Sequence, residues 1–242
     1  MSPVDTAPTG SRSSRLVDLQ GLQAIVDVLV ARGFTVIGPT VRAGTIVNAP
    51  ITGIADLPGG WGDDQAPGSY RLRRREDDKL FGFASGAQSA KPVFFPTSEV
   101  LWTGRRDADG FSVEPNEKPA SEAPYALFGV RSCDLCAVGI QDTVLTGRLH
   151  EDSSYAARRS GSFIVAVTCS DPGGTCFCVS MGTGPSPVQG RGAPYDLSLT
   201  ELVGDGGHRF VVEIGTAEGA AVLDEIGALP APPDEVDHAA RV

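Results

Sequence analysis

The chain has 242 residues, a formal net charge of −10, 41% hydrophobic and 21% charged residues. That is enough for one large domain or two small ones with a sizeable core. The acidic balance disfavours nucleic acid, whose phosphate backbone needs a basic field, and no apolar run approaches the ~18 residues of a membrane span.

Met1 to Arg15 is polar and rich in Ser, Thr, Pro and Arg, with no apolar secretory core. It predicts a disordered tail, residues 1–15, and a cytoplasmic protein. Leu19, Leu22, Ile25, Val26, Leu29 and Val30 then recur at helical spacing, with Gly33 as a stop, so a helix is expected over Val17–Arg32. Thr35–Ile37 and Thr45–Val47 are β-rich around a Gly/Pro turn and read as a hairpin or two short strands.

Residues 57–70 are turn-rich, and Asp63 and Asp64 read as solvated turn residues rather than ligands. Tyr70–Arg75 alternates as a strand. Arg71, Arg73, Arg74 and Arg75 form a basic cluster balanced by Glu76, Asp77 and Asp78, a solvated face with a docking patch as the alternative. The apolar Pro92–Pro96 segment leads to Thr97 or Ser98 as an N-cap for a short helix through Trp102. Residues 105–123 read as a surface excursion with a short strand at Phe111–Val113.

Tyr125–Val130 is a buried strand leading into Cys133, and Asp134–Leu145 a helix. Phe163–Val167 is a second buried strand, leading into Cys169. Two strands that each end in a cysteine point to a mixed α/β fold (α+β in the wider sense), with flanking helices and a site beyond the strand ends. Tyr195–Leu202 and Phe210–Ile214 read as strands and Ala217–Leu229 as a helix. One α/β domain is expected over residues 16–229, with 230–242 a Pro-rich tail or linker.

All five cysteines fall in one stretch, at Cys133, Cys136, Cys169, Cys176 and Cys178. In a chain read as cytoplasmic, tight spacing and an odd count favour metal over disulfides. Cys176 and Cys178 can point the same way on extended backbone. The glycines of Asp171-Pro-Gly-Gly-Thr175 let backbone amides approach a negatively charged cluster. Spacing alone leaves three alternatives to an iron–sulfur cluster: a zinc-stabilised structural or assembly module, buried unreactive thiols, and a catalytic thiol, for which no histidine is sequence-adjacent. There is no P-loop or dinucleotide fingerprint and no evident acid/base pair, so no catalytic residue is assigned.

K-P-V-F-F-P, L-F-G-V-R-S-C-D-L-C, Asp152 and Tyr155 before R-R, V-T-C-S-D-P-G-G-T-C-F-C-V-S-M-G-T-G-P and Y-D-L-S-L-T-E-L follow in order. From about Lys91 to Leu202 this set resembles the beta subunit of soluble multisubunit [NiFe]-hydrogenases (sulfhydrogenases) and the A subunit of anaerobic sulfite reductase. The resemblance implies an iron–sulfur electron-transfer subunit holding a [4Fe–4S] cluster. Its partners would be a flavin-containing, NAD(P)H-reactive subunit and the hydrogenase or sulfite reductase catalytic subunits. Cys133, Cys169, Cys176 and Cys178 match the family's recurring cysteines, leaving Cys136 as the spare candidate. Asp134 matches the family's C-D pair, and its plainer role is a helix N-terminal carboxylate. Family members continue into a ferredoxin-like C-terminal half with further cysteines, whereas this sequence has no cysteine after Cys178. A truncated form or a short member with one cluster is expected.

Overall fold

A computed structural model describes residues 13–84, 86, 88–107, 110–115, 123–147, 150–188 and 190–242. Most of the expected N-terminal tail lies outside the described residues, and Ser14 and Arg15 belong to a strand.

The first strand, β1 (Ser14–Asp18), runs directly into helix α1 (Leu19–Ala31). The helix expected over Val17–Arg32 is therefore shorter, with Val17 and Asp18 in the strand. Asp18 is the N-cap, its carboxylate accepting from the Gly21 N–H at 2.9 Å, a contact worth about 1 kcal/mol. Leu22, Ile25, Val26 and Leu29 form the helix's fully buried stripe, at about 2 kcal/mol each. Strands β2 (Thr35–Arg42) and β3 (Thr45–Pro50) form the expected hairpin.

Residues 57–70 differ from the turn reading. They hold strand β4 (Trp61–Ala66), which pairs with β5 (Ser69–Arg74) in a hairpin. Arg74 lies over the Trp61 ring, 3.7 Å from its centroid, and Arg73 pairs with Asp64 at 3.0 Å. Asp63 is no solvated turn residue: it accepts from the Ala84 N–H at 2.7 Å and from Gln65 Nε2 at 2.6 Å. The short helix of the next segment is α2 (Lys91–Phe94), earlier than the Thr97 or Ser98 cap predicts, with Phe94 buried. Trp102 instead opens β6 (Trp102–Asp107), paired with β7 (Gly110–Pro115).

The two buried runs are β8 (Tyr125–Arg131), which leads into α3 (Ser132–Leu145), and β9 (Phe163–Val167), with α4 (Ser153–Arg159) between. Beyond them lie α5 (Cys178–Met181), the antiparallel pair β10 (Leu197–Gly204) and β11 (Gly207–Ile214), and α6 (Ala217–Glu225). Strand β12 (Leu229–Pro230), paired with β1, spans the start of the expected tail or linker, residues 230–242, which also holds α7 (Pro233–Ala239). Arg209 fastens α7 through Glu235, Nε to Oε1 at 3.0 Å.

Eight strands form one mixed sheet in the order β12-β1-β11-β10-β9-β8-β2-β3. Its middle, β2-β8-β9-β10, is parallel, which explains why the central runs are apolar on both faces. Residues of α1 and α6 cover one face with Phe81 and Phe210. Tyr155, Tyr195, Phe94 and residues of α3 cover the other.

Gly129 breaks the alternation of β8. It has φ +82°, and the ladder to β9 shifts register between Phe128 and Val130. A Cβ there would meet the Phe81 ring at 2.9 Å. The bulge turns Val130 onto the face of α3, with Leu127. It frees Arg131 to point at Phe81 and Phe83 on the other side.

Candidate metal centre

Strands β8 and β9 pair directly, with Arg131 opposite Val167. Two residues beyond each lie Cys133, in the first turn of α3, and Cys169. Cys176 follows in the loop and Cys178 opens α5. These four thiols, from three chain segments, line one cavity of about 430 Å³.

Cys136 does not line it. It sits on α3 where Gly192 packs so closely that a Cβ would lie 2.7 Å from the Cys136 N and Cα. Among the described residues, no group of three or more His, Cys, Asp or Glu side chains is placed to hold a metal ion.

The loop brings backbone close to two of the thiols. The Gly173 N–H donates to Cys176 Sγ at 3.3 Å. A Cβ on Gly174 would lie 2.6 Å from the Gln65 carbonyl oxygen, and one on Gly184 would lie 2.9 Å from Cys178 Sγ. Glycine at both positions lets the backbone approach the hairpin and the thiol.

Basic residues from outside the cysteine stretch fix this loop. Arg75 spans three partners: the carboxylate of Asp77 at 2.6 Å, the carbonyl of Gly82 at 2.9 Å, and Asp171 of the loop at 3.2 Å. Lys79 reaches Ser170 Oγ at 3.4 Å. Arg75 is therefore an internal strut, only 11% exposed, and not part of a solvated basic face. Its carboxylate hydrogen bond pushes its pKa further up.

Beneath the cavity lies Arg131, 3% exposed. Its guanidinium donates to the carbonyls of Thr168 at 3.1 Å, Phe81 at 2.8 Å and Phe83 at 2.8 Å. The guanidinium carbon stands 4.9 Å from the centroid of the Phe83 ring. Glu201 latches the same segment from below, accepting from the N–H groups of Leu80 at 2.6 Å and Phe81 at 3.0 Å and facing His208 Nε2 at 2.7 Å.

Burial pushes the Cys133 thiol up to about 11, and the Asp134 carboxylate adds to the shift. Burial also raises Cys169, against the pull of the Arg131 charge, and raises Cys136, opposed by Arg191. Buried thiols of this kind keep their protons until a cation replaces them. The signals for Arg75, Lys79 and Glu201 are invisible in the cysteine motif, because their partners are distant in sequence. Arg131 sits inside R-S-C, but its direction depends on the Gly129 bulge.

A groove of about 580 Å³ along β1 and α1 contains no cysteine. Its ionic groups are committed, Asp18 to the helix cap and Arg209 to Glu235.

The fold and site together define a mixed α/β domain with a four-thiol cavity at the ends of its central parallel strands. Over 111 residues the chain is 34% identical to sulfhydrogenase 2 subunit beta of Pyrococcus furiosus, a match that covers 45% of this chain and 30% of that protein. No protein-family profile matches the chain. Among the described residues, no helix is long and apolar enough to cross a membrane.

Proposed function

We propose that this chain is an iron–sulfur electron-transfer subunit of a hydrogenase-type oxidoreductase complex, with Cys133, Cys169, Cys176 and Cys178 holding one [4Fe–4S] cluster. The observation that carries this reading is the convergence of those four thiols, out of five, on one cavity. The N–H aimed at Cys176 and the buried guanidinium beneath the site suit a negatively charged cluster. When bound, such a cluster supplies one-electron transfer.

The chain's own residues do the positioning. The paired ends of β8 and β9 set Cys133 against Cys169. Arg75 and Lys79 fix the loop that carries Cys176, and Gly184 leaves room for Cys178. The similarity to a sulfhydrogenase beta subunit supports a place between a flavin-containing, NAD(P)H-reactive subunit and a hydrogenase catalytic subunit. A sulfite reductase catalytic subunit is the variant of the same scheme.

The test is metal analysis of anaerobically purified protein. About four iron and four acid-labile sulfide per chain, with broad absorption near ~400 nm, is the expected result. One equivalent of zinc in a colourless protein would overturn it in favour of a zinc-stabilised assembly module.

A further inference from the structure

Among the described residues, Arg131 is the one buried cation that lines the four-cysteine cavity. Three carbonyls take hydrogen bonds from its Nη1 and Nη2 atoms. These contacts anchor the guanidinium against the cavity wall, beside Thr168 and hence next to Cys169.

Guanidinium stays protonated in proteins, so the cavity wall carries a fixed positive charge. A full positive charge removed from water and set against thiolates acts through a low dielectric, where it is screened far less than at the surface.

We propose that Arg131 is the electrostatic partner of the cluster, its fixed positive charge at the cavity wall stabilising the reduced state. This rests on the iron–sulfur reading above. The cluster takes one electron from an external one-electron donor and gains one negative charge. No bond breaks and no proton moves, because the charge of Arg131 is fixed. A fixed cation beside that added charge makes reduction easier, so the potential of the couple rises. The three carbonyl contacts hold the guanidinium still, so its charge acts at constant distance.

The experiment starts with unmutated protein carrying ¹⁵N-arginine, purified anaerobically and reduced with dithionite. Pulsed EPR of the reduced cluster is expected to show a ¹⁵N coupling. Redox titrations of Arg131→Lys and Arg131→Gln then follow, each normalised to iron and sulfide per chain. Arg131→Gln should move the midpoint to more negative potential, with Arg131→Lys, which keeps the charge and loses the three-carbonyl anchoring, between it and the unmutated protein. Variants that do not fold leave the labelled-protein measurement as the deciding one.

A cluster with no ¹⁵N coupling overturns the proposal, as does an unchanged midpoint in a fully loaded Arg131→Gln protein. Absence of iron and sulfide from unmutated protein is a different result. It defeats the iron–sulfur reading itself, and this proposal with it.

Discussion

Arg75 and Asp171 stand 3.2 Å apart, Nη1 to Oδ1, joining the end of the β4–β5 hairpin to the loop that carries Cys176. A segment that reads as turn and solvated basic face thus acts as the outer support of the candidate metal centre. Arg75→Met removes the link to Asp171, the pair with Asp77 and the bond to the Gly82 carbonyl together. The expected loss is about 2 kcal/mol of stability, in the range for hydrogen bonds to charged groups. Iron content should fall further than the melting temperature suggests, because the loop loses its tether. Denaturant unfolding with parallel iron assays checks both, and full iron loading in a folded Arg75→Met protein would show that the strut is dispensable.

Gly184 tests the cavity's shape. A Cβ there lies 2.9 Å from Cys178 Sγ, too close for the sulfur to stay where it is. Gly184→Ala should keep the fold, since the close contacts, to Sγ at 2.9 Å and Cβ at 3.3 Å, are with the side chain of one residue, Cys178. It should halve cluster content or worse. Circular dichroism set beside iron and sulfide per chain separates the two effects, and unchanged cluster content would remove Cys178 from the ligand set.

The fold was legible in the sequence where burial was two-sided and local. Phe163–Val167 is a strand over the full apolar run, and Tyr125–Val130 is short by only Arg131. Strand β1 was not legible, because its partners β11 and β12 are far along the chain and Val17 fits the helical spacing equally well. In the β6–β7 hairpin the short strand expected at Phe111–Val113 lies within β7, whereas β6 was not legible, because the exposed Trp102 opens a run with no alternation between a buried and a wet face. The same limit governs the site. Its thiols announce themselves by spacing, whereas Arg75 and Glu201 acquire their roles only when the chain brings Asp171 and Leu80 to them.

The Asp77 carboxylate gives an acid-side signature. Its hydrogen bond from Arg75 holds it below the ordinary value of 3.8. A depressed folded-state pKa means that the stabilisation is present above the unfolded-state value and is lost as pH falls through the folded one. Unmutated protein should therefore melt higher than Asp77→Asn at neutral pH, and the two melting curves should converge as the pH falls below ~3.8. Thermal melts between pH 2 and 7 decide it. A constant gap across that range would mean that Asp77 contributes nothing through its charge.

Cys136 and Cys176 share a chemistry and differ in place, one packed on α3 beside Gly192 and the other on the cavity wall. Cys136→Ser should retain the iron and sulfide of the unmutated protein. Cys176→Ser should lose the cluster or hold a defective one with an altered EPR spectrum. Equal loss in both variants would make Cys136 a ligand and reopen the zinc module.

The last expectation concerns how electrons leave the site. Phe177, Val179 and Met181 flank Cys176 and Cys178 and are 70%, 71% and 66% exposed. This apolar rim adjoins the cavity, where a docked redox subunit would stand closest to the cluster. Binding energy at interfaces concentrates in a few such side chains. Met181 does not line the cavity itself, so Met181→Glu should leave cluster content unchanged. It should slow electron transfer to the hydrogenase catalytic subunit on the order of tenfold, the equivalent of ~1.4 kcal/mol of lost docking energy. The isolated chain should not oxidise NADPH with a dye acceptor, whereas its complex with the flavin subunit should. Cys176→Ser in that complex should preserve NADPH-to-dye activity and lose transfer to the terminal subunit. These assays locate the block on one side of the cluster. NADPH oxidation by the isolated chain would reveal a substrate site of its own and end the relay reading.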